Sequence, residues 1–173
     1  MSKKILFSDI KQVEFYREKI INATNKHMDE LLQSGKNIDF LRKVKFEQSG
    51  YDPLFEHETN FIEQVNQTFT YLVCIEAVEY LLIKYPTQKF NVNFGTEAGH
   101  DVESENGSII CECFAATNPK SNQKLKLDMQ KVSRNEQALK KYVIFFAENK
   151  ELTYVENLRK KYQEIEIIAI DKI

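Results

Sequence analysis

Between about Leu54 and Tyr85 the chain reads as one long helix, and Pro86 stops it. From Phe69 to Tyr85 that helix is apolar almost all round, so it is expected to run through the core rather than along the surface. Past the proline the pattern of apolar residues switches from helical to alternating, first in Phe90-Asn-Val-Asn-Phe94. A buried helix feeding directly into strands commits the chain to layers of helix packed on sheet.

The rest of the C-terminal part follows that plan. Gly95, Gly99 and Gly107 punctuate a hairpin whose arms are expected at roughly His100–Ser104 and Ser108–Ala116. Pro119 and Ser121-Asn122 introduce a helix from about Gln123 to Leu139, with Leu125, Met129 and Val132 inward. Tyr142-Val-Ile-Phe-Phe-Ala147 is a continuous apolar run of the kind found in central strands. Thr153-Tyr-Val-Glu156 has the spacing of a capping box, and Ile165-Glu-Ile-Ile-Ala-Ile170 reads as a last strand. Antiparallel pairing first and a strand-helix-strand crossover last predict a mixed sheet with helices on both faces.

The first third is helical in pattern. Val13, Tyr16, Ile20, Ala23, His27 and Leu31 recur at helical spacing from Ser8 to about Leu32, and Gly35 in Ser34-Gly-Lys-Asn37 is a natural stop. A short second helix is expected over Asn37–Phe46. Gln48-Ser-Gly-Tyr-Asp-Pro53 is the clearest break, which divides the chain into an N-terminal helical extension, 1–50, and an α/β core, 51–173.

At 173 residues, with 42% apolar and 29% charged residues, the composition is that of an ordinary globular chain. A net charge of −2 excludes a basic body, so any nucleic acid would have to meet a local patch. Cys74, Cys111 and Cys113 are odd in number and sit in apolar segments, as expected of reduced thiols in a cytoplasmic protein. No apolar run is long enough to cross a bilayer.

One residue does not fit its surroundings. Glu112 lies in Ser108-Ile-Ile-Cys-Glu-Cys-Phe-Ala-Ala116, an otherwise buried strand, where an ionised carboxylate is costly without a cation or good donors. Asp101 lies on the neighbouring arm of the hairpin. Two carboxylates brought together in this way suit a hard cation such as Mg²⁺ or Mn²⁺. The plainer alternative is that Glu112 pairs with a lysine and Asp101 caps a turn. His100, beside Asp101, reads either as an exposed turn residue or as a general base or phosphate contact. Cys111 and Cys113 lack the companions that a zinc site needs.

The element order from about Leu54 to Ile170, together with Asp101 and Glu112, resembles the PD-(D/E)XK nuclease superfamily, the restriction endonuclease-like fold. In that family a metal-binding Asp lies on the second strand of a three-stranded meander, and an acid-x-Lys triplet lies on the third. Asp101 matches the first acid and Glu112 the second. The triplet here is Glu112-Cys113-Phe114, with phenylalanine in place of the lysine that orients water and stabilises negative charge in the family. The resemblance implies that a lysine arrives from elsewhere, with Lys120 and Lys124 the first candidates, or that cleavage has been lost. It also implies that a further acid can come from the helix before the sheet, where Glu76 and Glu79 lie one turn apart.

From Lys120 to Lys141 the chain carries seven basic residues against two acidic ones. Lys120, Lys124 and Lys131, with Ser121 and Asn122 at the helix start, form a candidate nucleic-acid contact, against the alternative of a solvated helix face. The expectation is therefore a Mg²⁺- or Mn²⁺-dependent endonuclease hydrolysing phosphodiester bonds in DNA, with Asp101, Glu112, Lys124 and Lys120 as catalytic candidates and Asp101 and Glu112 as metal ligands. The alternative is a catalytically inactive nuclease-like domain that binds nucleic acid or protein. A homodimer is expected of a small nuclease that cuts both strands.

Overall fold

Helix α3 (Phe61–Lys84) is the element around which the rest assembles. In the computed structural model, which describes residues 2–33, 35 and 37–173, it begins at Phe61 rather than at Leu54. The Asn60 side chain caps it, accepting the Glu63 N–H at 2.8 Å. The preceding residues turn instead of coiling, because the Asp52 carboxylate takes the N–H groups of Leu54 and Phe55 at 3.0 Å each. Two short strands, β2 (Gly50–Tyr51) and β3 (Glu58–Thr59), pair across that turn. Tyr71, Val73, Ile75, Ala77, Val78 and Leu81 are buried, as the all-round apolar pattern requires.

The main sheet has six strands, in the order β1 (Lys4–Phe7), β4 (Phe90–Asn93), β5 (Val102–Ser104), β6 (Ile109–Ala116), β7 (Lys140–Ala147) and β8 (Ile165–Ile170). Strands β4, β5 and β6 form an antiparallel meander. Strands β7 and β8 then add in parallel to β6 through two helical crossovers. These are α4 (Lys124–Ser133) and α5 (Leu152–Lys161). Strand alternation divides β6 between two cores. Ile109, Cys111 and Cys113 join α1 (Ile10–Leu32) and α3, while Ile110 and Phe114 pack with Leu125, Met129, Val155 and Leu158 of α4 and α5.

Strand β1 (Lys4–Phe7) was not expected. It pairs antiparallel with β4 and places Phe7 fully inside. Residues 1–50 thus supply an edge strand as well as helices α1 (Ile10–Leu32) and α2 (Ile38–Phe46), and Val13 and Ile20 of α1 share one core with α3. Asp9 caps α1 through the Gln12 N–H. The expected stop at Gly35 has a positive φ of 139°, and the flanking Ser34 and Lys36 lie outside the described residues. Helix α4 is shorter than expected, ending at Ser133. Thr153 lies inside α5 rather than capping it, since the cap is Glu151 in a left-handed conformation without a side-chain bond. Among the described residues no helix is long and apolar enough to cross a membrane.

Candidate functional site

The β5–β6 hairpin does what its spacing requires. Val102 pairs with Cys111, so Asp101, one residue before the ladder, lies level with Glu112. Asp101 is tied there by its Oδ2, which accepts the Cys113 backbone N–H at 2.7 Å. Glu112 points to the α4 side of the sheet and is only 2% exposed. His100 Nδ1 lies 2.7 Å from Glu112 Oε1, and Lys131 Nζ of α4 reaches the same carboxylate at 2.8 Å. Behind the imidazole, Asn135 Nδ2 is 3.1 Å from His100 Nε2.

A second pair lies one turn back along α4. Lys124 Nζ donates to Asp128 Oδ1 at 2.6 Å and sits 5.9 Å above the Phe114 ring. Asp128 is 3% exposed, and its Oδ2 has no hydrogen-bond partner. The ring of Phe114 stacks on Phe145, with centroids 5.2 Å apart, so position 114, where the resemblance would put a lysine, is packed core.

These surroundings set the charges. Burial, and next the charge of Glu112, push the Asp101 carboxyl up to about 7, against the Cys113 N–H and the nearby Lys124 and Lys131. Burial also opposes ionisation of Glu112, but the bonds from His100 and Lys131 outweigh it and hold that carboxyl below its ordinary range. Asp128 is pushed up to about 6, chiefly by burial. Lys124 is raised: its burial works the other way but is outweighed by Asp128, Asp101 and Glu112. The cluster therefore holds one firmly ionised carboxylate beside one whose ionisation is opposed by burial and by that charge. A cation placed between them would favour ionisation of both.

Of the residues singled out in the sequence, the fold brings together Asp101, Glu112, Lys124 and Lys131. Lys120 is drawn elsewhere, to Glu151 at 2.7 Å. Ser121 and Asn122 lie in an exposed 3₁₀ turn, Ser121–Gln123, in which Asn122 and Gln123 both have positive φ. Glu76 and Glu79 are paired with Arg17 of α1, so Glu76 has a structural partner on the far layer. Cys111 and Cys113 approach to 3.7 Å, and burial raises both thiols, which stay protonated. His100, read either as an exposed turn residue or as a general base or phosphate contact, is 10% exposed and bound to Glu112, while Asn135 was not placed in the site by the sequence. A signal for Asn135 existed: Lys124, Asp128, Lys131 and Asn135 recur at four- and three-residue spacing, a polar stripe beside the apolar Leu125, Met129 and Val132.

The two carboxylates, Asp101 and Glu112, are oxygen donors of the type that hard divalent ions take. Among the described residues no group of three or more His, Cys, Asp or Glu side chains is arranged to hold a metal. A surface groove of about 730 Å³ runs along α1, lined by Phe15, Lys19, His27 and Tyr51, and none of the cluster's residues lines it. No family model matches the chain, and no curated protein or solved structure is significantly similar to it.

Proposed function

We propose that the protein is a metal-dependent nuclease of restriction endonuclease-like fold that hydrolyses phosphodiester bonds in DNA, with Asp101 and Glu112 holding Mg²⁺ or Mn²⁺. The observation that carries this reading is that one helix brings Lys131 onto Glu112 of a buried carboxylate pair and sets Lys124, bonded to Asp128, within electrostatic reach of the same pair. The strand order supports it, since a β4–β5–β6 meander followed by a parallel β7 is the arrangement that the resemblance implies. The bound ion would supply charge neutralisation at the phosphate and lower the pKa of a bound water.

The residues divide the remaining work. Asp101 and Glu112 provide oxygen ligands. The Lys131 side chain is 47% exposed, so it can exchange its carboxylate partner for a phosphate oxygen. Lys124, 43% exposed and above the Phe114 ring, is the second cation beside the acids. Lys126, Arg134 and Lys140 are basic residues of the same stretch that could follow the backbone of a nucleic acid.

A second reading has its own support. Both oxygens of Glu112 are engaged by His100 and Lys131, and Phe114 is packed where the family has a lysine. A domain that binds without cutting would look like this too. Plasmid, linear duplex, single-stranded DNA and RNA incubated with MgCl₂ or MnCl₂ separate the two. Cleavage that falls by about 10²–10³-fold in Glu112→Ala is expected. Cleavage that survives the substitution overturns the site, and binding in a gel shift without cleavage of any substrate favours the silent module.

A further inference from the structure

Asn135 lies just beyond the end of α4 and has its orientation fixed by the backbone. Its Oδ1 accepts the N–H groups of Gln137 and Ala138 at 3.0 Å each. Only the amide oxygen can do this, because both partners are donors. The amide NH₂ is therefore the group that faces His100, with Nδ2 3.1 Å from Nε2. An NH₂ donates, so Nε2 must accept and carries no proton. The ring proton is left on Nδ1, which faces Glu112 Oε1 at 2.7 Å. Doubly protonated imidazole would set one N–H against another at Asn135.

The two partners of Glu112 differ in kind. The His100 side chain is 10% exposed and backed by Asn135, whereas Lys131 is 47% exposed and reaches in from a helix surface. One is a fixture and the other can leave. From this juxtaposition we infer that His100 is a positioning residue. Its neutral Nδ1–H tautomer, imposed by Asn135, holds the Glu112 carboxylate in place from the protein side, while the Lys131 side stays open to an ion and a phosphate. The inference rests on the reading of Asp101 and Glu112 as a metal pair. Partners of this kind orient ligands and tune their basicity, and losing one costs about 10–100-fold in metal affinity.

Two measurements on the full chain test it. The first is a long-range ¹H–¹⁵N spectrum of the metal-free protein, with the signals of His100 identified among the three histidines by their loss in His100→Asn. The expected result is a protonated Nδ1 and an unprotonated Nε2. In Asn135→Asp the first oxygen still takes the two backbone N–H groups, but the NH₂ becomes an acceptor, so Nε2 should gain a proton. A protonated Nε2 in the wild type, or a His100 spectrum unchanged in Asn135→Asp, overturns the relay.

The second is calorimetric titration with MnCl₂. His100→Ala is expected to bind Mn²⁺ about 10–100-fold more weakly. His100→Asn, whose amide can still donate to Glu112, should recover most of the loss, which a merely structural role would not produce. Equal affinity in the wild type and His100→Ala overturns the positioning role. A wild type that takes up no Mn²⁺ overturns the nuclease reading and the metal-positioning role together, and the spectrum still decides whether Asn135 fixes the imidazole.

Discussion

Cys113 donates its backbone N–H to Asp101 Oδ2 at 2.7 Å, one step beyond the last paired residues of the β5–β6 ladder. A bond that would ordinarily have closed the sheet is instead spent on a side chain. The consequence is a carboxylate fixed beside Glu112 in a place where both cannot comfortably be charged.

This arrangement makes stability depend on pH. Asp101 stands at about 7 in the folded protein against an ordinary 3.8, so the fold carries no penalty below about pH 4. The penalty grows as pH rises between those values and is complete above about 7. Asp128, raised to about 6, adds a penalty of the same sign. Asp101→Asn keeps an acceptor for Cys113 and cannot ionise. Its melting temperature should match that of the wild type near pH 4 and exceed it at pH 8, by about 2–4 °C for each kcal/mol relieved. Mg²⁺ should stabilise the wild type at pH 8 and leave the variant unmoved. A variant that melts lower than the wild type by the same margin at both pH values would refute the account.

Lys120, Lys124 and Lys131, all following β6, should not be equivalent. Lys131 touches Glu112 and Lys124 lies beside the acids, whereas Lys120 is bound to Glu151. Under cleavage conditions Lys131→Ala and Lys124→Ala should each lower kcat by about 10²–10³-fold, the scale of losing one charge-stabilising donor. Lys120→Ala should leave kcat as it is. Single-turnover rates on one duplex substrate decide this, and an ordering with Lys120 as the most damaging position would remove α4 as the source of the missing cation.

Much of this was legible in the sequence, and the gaps have physical causes. Glu112 announced itself because alternation in β6 left an acid among apolar neighbours, and Pro86 and three glycines placed the hairpin that carries Asp101. Strand β1 was invisible, since four residues that begin with one lysine and follow another give no period to read, and its pairing partner is more than eighty residues away. The start of α3 was misplaced because Asp52 captures the Leu54 and Phe55 amides, a local competition that apolar spacing does not report. Lys131 was read as a phosphate contact and Glu76 as a spare acid. Only the tertiary fold shows that the first reaches Glu112 and that the second belongs to Arg17.

Asp52 offers a test of how the first residues are bound to the rest. Its buried carboxylate accepts from Lys3 Nζ at 2.7 Å, from Tyr71 Oη at 3.0 Å and from two backbone amides, joining β1, the β2–β3 turn and α3. Burial opposes its charge, but these donors prevail and hold its carboxyl below 3.8. The stabilisation is therefore present above about pH 4 and is lost as pH falls through the lower folded value. Asp52→Asn should cost about 2–3 kcal/mol in urea unfolding at pH 7, and the difference should shrink on acidification below pH 3.8. A cost unchanged on acidification would show that the charge is not what matters there.

Phe114 raises the most direct question, whether a lysine can be introduced where the nuclease family that the chain resembles carries one. It is 3% exposed, its ring is nearly parallel to that of Phe145, and its cluster includes Leu125 and Met129 of α4. A lysine there would leave a cavity in the ring stack and bring an ammonium into apolar surroundings. Phe114→Lys should therefore destabilise the protein by about 3–5 kcal/mol and lower cleavage in step with the folded fraction. Phe114→Leu should cost less, leave the strand in register and keep activity, because the ring contributes packing under Lys124 rather than chemistry. Urea unfolding alongside cleavage rates separates the two effects. A Phe114→Lys protein that folds and cuts faster than the wild type would mean that position 114 on β6, and not α4, is where a cation serves this site.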